Sequence, residues 1–244
     1  MQEKIRELDR FKVPYIIICG EHLDHPSVMY RAPKGKYDAI NFIEEEANIP
    51  KGAKIVAFND VDTKIGRFEE MLHYFEDPNV AIVFAAELVR EGPQRIFFTI
   101  FNPIRRFLPL AASGELMMVR QEVLRKILPL KPCKAEDTYI MFKALELGYK
   151  VVFCEKCYAE TVRTKNAKAE ELYKRKTVSG IYQALSYTKP PWSVKFFYTF
   201  LPLASLFLPI LGRTGYYWMK GILLGFLDYS RGDRSGSWKN TYMD

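Results

Sequence analysis

An α/β fold with a mixed, mainly parallel sheet is what the sequence predicts, because short apolar runs alternate with helical patterns along most of its 244 residues. Hydrophobic residues make up 48% of the chain and charged residues 27%, which excludes wholesale disorder. Only one stretch is apolar enough to suggest a membrane span, so a protein with many spans is excluded as well. Four cysteines are too few for a disulfide scaffold, and we expect reduced thiols in a cytoplasmic setting.

The N-terminal half alternates between helices and strands that polar or glycine-containing turns separate. A charged, helix-compatible segment opens the chain, and an apolar run rich in β-branched residues then ends at Gly20. Gly35 precedes the next helical pattern, and a second β-branched run ends at the polar residues Asn59 and Asp60. In this half the predicted helices are 2–10, 37–47 and 67–75, and the predicted strands are 13–19, 28–30 and 54–58.

The second half continues the same alternation. Its first two apolar runs are rich in valine, isoleucine and phenylalanine, and we predict that both are strands. Longer segments with apolar residues at helical spacing follow, and the longest of them precedes the apolar C-terminal region. In this half the predicted strands are 80–84, 96–101, 116–119 and 149–153, and the predicted helices are 121–127, 137–147 and 169–185.

The net charge of +7 lies entirely in the C-terminal third of the chain. Residues 1–159 carry 23 basic and 23 acidic side chains, whereas residues 160–244 carry 13 basic and 6 acidic ones. A basic third attached to a neutral body suggests an anionic partner, such as phosphates, nucleic acid or a lipid surface. The alternative is a basic face that is merely solvated.

Two carboxylates, Asp60 and Asp62, directly follow the predicted strand 54–58. Ligands of open α/β sheets bind where strands end, and hard oxygen atoms suit Mg²⁺ or Mn²⁺, which can bridge a diphosphate. Acidic pairs are also common turn formers, so this pair alone is a weak signal.

Other polar motifs surround this pair in a characteristic order: Gly35-Lys36 with Ala39 and Asn41, Ala112-Ser113-Gly114-Glu115, Glu136-Asp137, Leu147-Gly148-Tyr149, Tyr173-Lys174-Arg175-Lys176, and Gly180-Ile181-Tyr182-Gln183. In this order and spacing, the set resembles the family-2 glycosyltransferases, which have the Rossmann-like, nucleotide-sugar-binding GT-A fold. The resemblance covers residues 12–185, about 70% of the chain. Each motif is loose alone, and together they are specific.

The resemblance implies a nucleotide-sugar donor, a cofactor that is Mg²⁺ or Mn²⁺, and a role for each matched residue. Asp60 and Asp62 would hold the metal, and Asp60 would also contact the donor. Asp137 would be the catalytic base. Lys36, Asn41, Arg175 and Lys176 are predicted on the donor side, and Gly114 and Glu136 on the acceptor side.

The predicted chemistry follows from the charges of these side chains. A metal and basic residues would offset the negative charge that builds on the leaving diphosphate, and Asp137 could take the proton of an attacking hydroxyl. One base without a second nucleophilic carboxylate implies a single displacement, and therefore inversion at the anomeric carbon. The alternative for Glu136 and Asp137 is plain capping of a helix N-terminus.

The sequence departs from the family pattern in three places. The family's opening strand with Pro-x-Tyr-Asn-Glu, which holds the nucleotide base, is missing here. Cys19-Gly20-Glu21-His22 stands where the family has Asp-Asp-Gly-Ser, and Thr177 replaces a tryptophan. The alternative function is therefore a non-catalytic, membrane-bound partner protein that retains a degenerate transferase fold.

The C-terminal region, residues 190–244, is predicted to form amphipathic helices at a membrane interface beyond a transferase domain of residues 1–189. Residues 196–212 carry no charge, but Pro202 and Pro209 interrupt them, and a span needs about 20 apolar residues. Residues 214–229 add Trp, Tyr and Lys, which suit an interface. We therefore predict attachment to an anionic membrane surface on the cytoplasmic face, a lipid-linked or membrane-anchored acceptor, and no nucleic-acid partner. The alternative is a hydrophobic helical pair that packs on the core or on another subunit.

Cys154 and Cys157 have the spacing of half a structural zinc site. Such sites usually combine two close pairs, and this chain has one, so zinc is the weaker interpretation.

Overall fold

The computed structural model describes residues 1–32, 34–46, 52–108, 110–161 and 166–236. Seven strands are present in that part of the chain: β1 (Ile17–Cys19), β2 (Val28–Tyr30), β3 (Ile55–Asn59), β4 (Lys64–Gly66), β5 (Val80–Val89), β6 (Leu116–Arg120) and β7 (Lys150–Thr161). The α-helices are α1 (Gln2–Arg10), α2 (Lys36–Glu46), α3 (Arg95–Phe107), α4 (Gln121–Ile127), α5 (Glu136–Glu146), α6 (Ala167–Tyr187), α7 (Trp192–Ser205) and α8 (Arg213–Ser230). Two 3₁₀ helices, Phe68–Glu76 and Leu208–Leu211, complete the set.

Five of these strands form one mixed sheet in the order β3-β6-β5-β7-β4. The α/β class and the mixed sheet are therefore as predicted. Within this sheet β5 and β7 are parallel, whereas β3–β6, β5–β6 and β4–β7 are antiparallel, so the sheet is less parallel than we predicted. Helix α3 lies between β5 and β6 in the chain, yet β6 returns antiparallel, so the alternation of strands and helices does not fix strand direction. Strands β1 and β2 pair in parallel as a separate two-stranded sheet.

The sheet has a hydrophobic cluster on each face, because successive side chains of a strand point to opposite sides. On β5, Ile82 and Phe84 belong to the larger cluster beneath α5 and α6, whereas Val83 and Ala85 face a smaller cluster. Met71, on the first 3₁₀ helix, covers that smaller cluster. Because both faces are covered, β5 is almost wholly buried, and an unbroken apolar run is the expected sequence for such a strand.

Two strands run further than predicted, β5 to Val89 and β7 to Thr161, and three other predicted elements differ in type or in length. The predicted strand 96–101 is part of helix α3, whose residues Phe98, Asn102 and Arg105 recur at helical spacing. The six-residue run was too short to show that period. The predicted buried strand 13–19 shortens to β1, because Val13 and Ile16 are exposed. The predicted helix 67–75 is a 3₁₀ helix. Position 47 of the predicted helix 37–47 lies outside the described residues.

Helices α6 and α8 pack at close range because glycines lie at their contact. A Cβ on Gly221 or on Gly225 would come within 2.5 Å of a backbone oxygen of α6. On α6 itself, Gly180 lies so close to Ala135 that an added Cβ would be 2.6 Å from the Ala135 nitrogen. Helix α6 therefore connects α8 directly to the residue that precedes α5.

Buried polar contacts also tie α8 to the rest of the molecule. The Trp218 ring stacks on Phe97 with centroids 4.1 Å apart, and its Nε1 donates to the fully buried Glu170 at 2.7 Å. Glu170 also accepts a hydrogen bond from Gln94. The domain boundary between residues 189 and 190 stays a prediction, and the helices beyond it share the main core through Val194, Tyr198 and Ile222.

Helix α7 is buried on one side only. Tyr198 lies in the core, but Trp192 is 77% exposed, and the following 3₁₀ helix exposes Ile210 to 81%. The segment Trp192–Leu211 is long and apolar enough to cross a membrane by length and composition alone, and 17% of it is buried. Core helices that pass the same criterion are mostly buried, so this exposure sets the segment apart.

Candidate active site

Acidic residues from three parts of the chain meet at one edge of the five-stranded sheet. Asp60 follows β3, Glu115 precedes β6, and Glu136 and Asp137 begin α5. Antiparallel pairing places the end of β3 beside the start of β6, and the Asp60 nitrogen donates to the Glu115 carbonyl at 3.3 Å. Lys36, the first residue of α2, completes the group.

Lys36 lies between the two carboxylate-bearing elements. Its Nζ is 2.5 Å from Asp60 Oδ1 and 3.8 Å from Glu136 Oε1. Burial by the surrounding protein lowers the pKa of the Lys36 ammonium, but attraction to Asp60, Glu136 and Glu115 outweighs it, so the net shift is upward. Half of the side chain is exposed, so solvent and ligands can reach this ammonium.

The carboxylates carry more negative charge than Lys36 compensates. Burial raises the pKa of Asp60 despite its pairing with Lys36, and repulsion from Glu115 and Asp62 adds to the shift. Burial also raises the pKa of Glu136 and of Asp137. Repulsion from Asp137 and Asp60 adds to the shift of Glu136, and repulsion from Glu115 and Asp60 adds to the shift of Asp137. A surplus of this kind favours the binding of a further cation or a proton.

Gly114 lies directly against Asp137. A Cβ at Gly114 would be 3.0 Å from Asp137 Oδ2, so a glycine is needed for this approach. On the other side, Asp137 Oδ1 accepts the Thr138 backbone N–H at 2.7 Å, in the first turn of α5. The neighbouring Glu115 carboxylate accepts a hydrogen bond from Ser113 at 2.7 Å. The two predicted acceptor-side residues, Gly114 and Glu136, therefore both adjoin the predicted base.

The turn that carries Asp60 and Asp62 is fixed at its base by hydrogen bonds. Thr63 donates its backbone N–H and its hydroxyl to the Asp60 carbonyl, at 3.2 and 2.8 Å, and Asn59 Nδ2 donates to the Thr63 hydroxyl at 2.8 Å. From α1, the buried Lys4 donates to the Thr63 carbonyl at 2.7 Å. Asp62 is exposed at the tip of this turn.

The carboxylates of Asp60 and Asp62 are chemically suited to a divalent cation whose coordination a bound substrate would complete. Asp60 and Asp62, two residues apart, carry hard carboxylate oxygens, and the surrounding negative charge favours a cation there. Within the described ranges, no group of three or more His, Cys, Asp and Glu side chains is arranged to hold a metal ion by itself. If Asp60 and Asp62 hold a metal ion, as predicted, its other ligands would have to come from a bound substrate or from water.

Three predicted donor-side residues lie outside this cluster. Asn41 exchanges two hydrogen bonds with the Leu130 backbone, at 2.9 and 2.7 Å, and so ties α2 to the segment before α5. The Arg175 guanidinium binds Asp228 of α8 at 2.5 and 2.8 Å. Burial, followed by repulsion from Lys134, lowers the pKa of Lys176. The structure therefore does not bring these three side chains to Asp60, and their donor roles stay predictions.

Both cysteines of the zinc-like spacing are buried in the smaller hydrophobic cluster. Burial raises the pKa of the Cys157 thiol to about 12, which disfavours the thiolate that zinc requires.

Glu115, Lys134 and Gln183 also contact the site or its surroundings, although no role was predicted for them. Lys134 forms an ion pair with Asp233, and the Gln183 amide donates to the carbonyls of Asp233 and Ser235, each at 3.1 Å. These contacts hold the C-terminal segment 231–236 against the start of α5 and beside Gly35. Glu115 directly follows Gly114, and Gln183 ends the motif Gly180-Ile181-Tyr182-Gln183, so both had a sequence signal, whereas Lys134 had none.

No protein-family model matches the sequence, and no curated protein matches it. Among solved structures, the chain is similar to the mannosyltransferase PcManGT from Pyrobaculum calidifontis, in complex with GDP-Man and Mn²⁺. The TM-score is 0.68 over 95% of this chain and 83% of that one, at 13% sequence identity. The chain has the GT-A glycosyltransferase fold.

A second GT-A structure, GalNAc-T7 with UDP, GalNAc and Mn²⁺, has a TM-score of 0.47 at 11% identity, over 84% of this chain and 44% of that one. A similarity at that level says nothing about the function of this chain. At 13% sequence identity, the similarity to the mannosyltransferase establishes the GT-A fold of this chain, whereas its activity depends on its own site residues.

Proposed function

We propose that the chain is an inverting, metal-dependent glycosyltransferase of family 2 that acts at the cytoplasmic face of the membrane. It would move a sugar from a nucleoside-diphosphate donor to a hydroxyl of a membrane-anchored acceptor, such as a lipid-linked saccharide. One observation carries this proposal: Lys36, Asp60, Glu136 and Asp137 converge at one edge of a GT-A sheet, with Asp62 beside them. In the similar mannosyltransferase structure, a nucleotide-sugar and Mn²⁺ are bound.

On the donor side, Asp60 and Asp62 would hold Mg²⁺ or Mn²⁺ together with diphosphate oxygens. The bound metal would supply a positive charge for the leaving diphosphate. Lys36 adds a second positive charge at this site, and its raised pKa keeps the side chain an ammonium at neutral pH. Both charges matter most as the sugar–phosphate bond breaks and the nucleoside diphosphate takes up its electron pair.

On the acceptor side, Asp137 would accept the proton of the attacking hydroxyl. The hydroxyl oxygen forms the new bond to the anomeric carbon, the bond to the diphosphate breaks, and the proton passes to the Asp137 carboxylate. A raised pKa makes this carboxylate a better proton acceptor than an ordinary aspartate. With one base and one displacement, the configuration of the anomeric carbon inverts.

The exposed apolar side of α7 and of the 3₁₀ helix Leu208–Leu211 supports a membrane-anchored acceptor. Phe207 and Ile210 are 71% and 81% exposed, and the uncharged stretch that contains them is bounded by Lys195 and Arg213. Contiguous apolar surface with cationic neighbours suits a bilayer interface with anionic lipids. Tethering at such a surface raises the effective concentration of a membrane-anchored acceptor.

A thermal-shift panel of nucleoside diphosphates and nucleotide-sugars, with and without Mn²⁺, tests the donor assignment. A donor at 100 times its Kd should stabilise the native state by about 2.7 kcal/mol. We expect Asp62→Ala to abolish the metal-dependent stabilisation while the unliganded melting temperature stays unchanged, because Asp62 is exposed. Glu76→Ala, which removes an exposed carboxylate of another element, is the matched control.

Undiminished stabilisation of Asp62→Ala would refute the metal assignment. Absence of stabilisation by every nucleotide-sugar in the wild-type protein would instead favour the non-catalytic partner protein. Cys19-Gly20-Glu21-His22, which stands where the family has the base-binding Asp-Asp-Gly-Ser, is the observation that favours this second function, and Thr177 is a further departure from the family pattern.

A further inference from the structure

The chain turns sharply where helix α8 ends. Gly232 has a φ of +92°, a conformation that favours glycine, and the Asp233 N–H donates to the Asp228 carbonyl at 3.0 Å. We call residues 231–236, which follow this helix, the strap. Four of these six residues are exposed, so the strap has few contacts with the rest of the protein and is free to move at a low energetic cost.

The strap reaches the candidate active site beside Lys36. A Cβ on Gly35 would overlap the Gly236 carbonyl, and a Cβ on Gly236 would overlap the Tyr37 ring, so the strap contacts both sequence neighbours of Lys36. From α6, the Gln183 amide donates to two carbonyls of the strap, each at 3.1 Å. The strap therefore connects α6 with the start of α2, next to the proposed donor site.

The carboxylate of Asp233, in the strap, pairs with a buried cation. Its partner Lys134 has a side chain that is only 10% exposed, and it lies two residues before Glu136. Burial raises the pKa of the Asp233 carboxyl, but hydrogen bonds from Lys134 and Ser235 outweigh this effect, so the net shift is downward and the carboxylate is ionised at neutral pH. A buried ammonium requires an anionic partner of this kind.

The cations near the strap are those that a donor phosphate would be expected to meet. Lys176, predicted on the donor side, lies close enough to Lys134 that repulsion between the two ammonium groups adds to the effect of burial in lowering its pKa. Arg175, also predicted on the donor side, is held by Asp228 of α8. Carboxylates of α8 and of the strap therefore lie at basic groups that suit a phosphate.

We propose that the strap is an autoinhibitory contact, in which Asp233 holds Lys134 in place of a donor phosphate until a bound diphosphate displaces it. This inference rests on the proposed transfer from a nucleoside-diphosphate donor and adds a regulation of that site. A diphosphate carries more negative charge than one carboxylate, so it competes for the Lys134 ammonium. The close packing of α8 on α6 does not have to change, because the strap begins after α8 has ended.

Calorimetric titration with inorganic pyrophosphate and Mg²⁺ tests the strap without any transfer assay. Asp233→Asn removes the competing charge, and we expect its Kd for pyrophosphate to be about tenfold or more below that of the wild type, in line with the strength of hydrogen bonds to charged groups. Asp233→Glu, which retains the charge, should bind as the wild type does. Glu171→Gln removes a carboxylate that pairs with Lys220 between α6 and α8, and it is the matched control for the loss of a nearby negative charge.

A double-mutant cycle shows whether the effect of Asp233 acts through Lys134. In Lys134→Met the ammonium is absent, so adding Asp233→Asn to this variant should no longer tighten pyrophosphate binding. The cycle also removes the cost of leaving the Lys134 charge buried without its partner, so it remains informative if Asp233→Asn alone lowers the melting temperature. An equal gain from Asp233→Asn with and without Lys134 would overturn the proposed competition.

Hydrogen exchange followed by mass spectrometry reports the movement of the strap. In the structure the Ser235 N–H donates to the Asp233 carboxylate at 3.0 Å. Pyrophosphate with Mg²⁺ should speed exchange in a peptide that contains residues 231–236, and Asp233→Asn should exchange as fast without any ligand. Slower exchange on pyrophosphate binding would overturn the proposal, because the strap would then cover the diphosphate and not compete with it.

Equal Kd values for the wild type and Asp233→Asn would overturn it as well. Failure of the proposed function gives a different result: no nucleotide-sugar would stabilise either protein, while pyrophosphate affinity would still respond to Asp233 and Lys134. The two proposals can therefore fail separately.

Discussion

Asp137 is the residue on which the proposed chemistry depends most. Asp137→Asn retains the shape and hydrogen-bonding capacity of the side chain but cannot accept a proton at neutral pH. We expect kcat to fall on the order of 10²–10⁴-fold, the usual contribution of general base catalysis, with donor binding nearly unchanged. Steady-state kinetics and donor-induced thermal shifts measure the two quantities separately. A collapse of donor binding would show instead that Asp137 is a structural or donor-binding residue.

Gly114 is the residue that lets Asp137 lie where it does. In Gly114→Ala the new methyl carbon would be 3.0 Å from Asp137 Oδ2, so the carboxylate has to shift by a few tenths of an ångström. Small misplacements of a reacting group are costly, and we expect kcat to fall about tenfold with the melting temperature nearly unchanged. Ala112→Gly, a change of the same size two residues earlier, is a comparison variant. Normal kcat in Gly114→Ala would place the acceptor hydroxyl elsewhere.

Helix α1 holds the turn that presents Asp60 and Asp62. Lys4 donates to the Thr63 carbonyl, and Glu7 accepts the Ile65 backbone N–H of β4 at 2.6 Å. Lys4→Met should loosen this turn and raise the Mn²⁺ concentration for half-maximal activity about 10- to 100-fold, as is typical for groups that orient metal ligands. Lys4→Arg, which retains a donor, should restore most of the affinity.

Arg6→Met removes an exposed cation from the same helix and is the matched control. Melting curves recorded beside the Mn²⁺ titrations separate this effect from unfolding. If Lys4→Met lowers the melting temperature while the Mn²⁺ requirement stays constant, Lys4 contributes to stability and does not position the turn.

At the level of elements, the sequence predicted most helices and strands, and the one strand that is a helix in the structure has a tertiary cause. Helix α4 was predicted with its exact bounds, because its pattern stands between a strand and a proline-containing turn. The prediction of a strand at 96–101 was wrong because β-branched and aromatic residues favour strands locally. In the structure Phe97 packs on Trp218, which lies 121 residues later in the sequence. Such contacts have no local signal.

The residues of the candidate site that belong to a sequence motif could be predicted. Lys36, Asp60, Gly114, Glu136 and Asp137 were all named from sequence, and the structure brings them together. The pairing of Arg175 with Asp228 was not predictable, because it depends on how α8 lies against α6. Lys4 and Gln183 likewise act through backbone carbonyls of distant segments, which a sequence pattern does not specify.

The whole molecule determines how membrane attachment has to be tested. Deleting residues 190–244 would remove Val194, Tyr198 and Ile222 from the main core, so a truncated chain would lose stability as well as any membrane contact. Point substitutions on the exposed face avoid this problem. Phe207 and Ile210 are suitable because both side chains are largely in solvent.

Wild-type protein should float with anionic vesicles and be only partly released by high salt, because salt screens headgroup attraction but not apolar insertion. The pair Phe207→Ser and Ile210→Ser should abolish the salt-resistant fraction, with the melting temperature unchanged. Leu147→Ser, at an exposed position directly after α5, should float as the wild type does. Equal flotation of all variants would favour the alternative that these helices contact another protein.

The close approach of Gly180 to Ala135 has a geometric consequence for the acceptor. Helix α8 is locked to α6 by Gly221 and Gly225, and α6 abuts the residue before Glu136 and Asp137 without an intervening side chain. Under the proposed attachment, the base therefore stands at a constant height above the lipid headgroups. Such an enzyme would select acceptors by the distance between their membrane anchor and their reacting hydroxyl. A longer spacer between the two would reduce transfer even with every sugar contact intact.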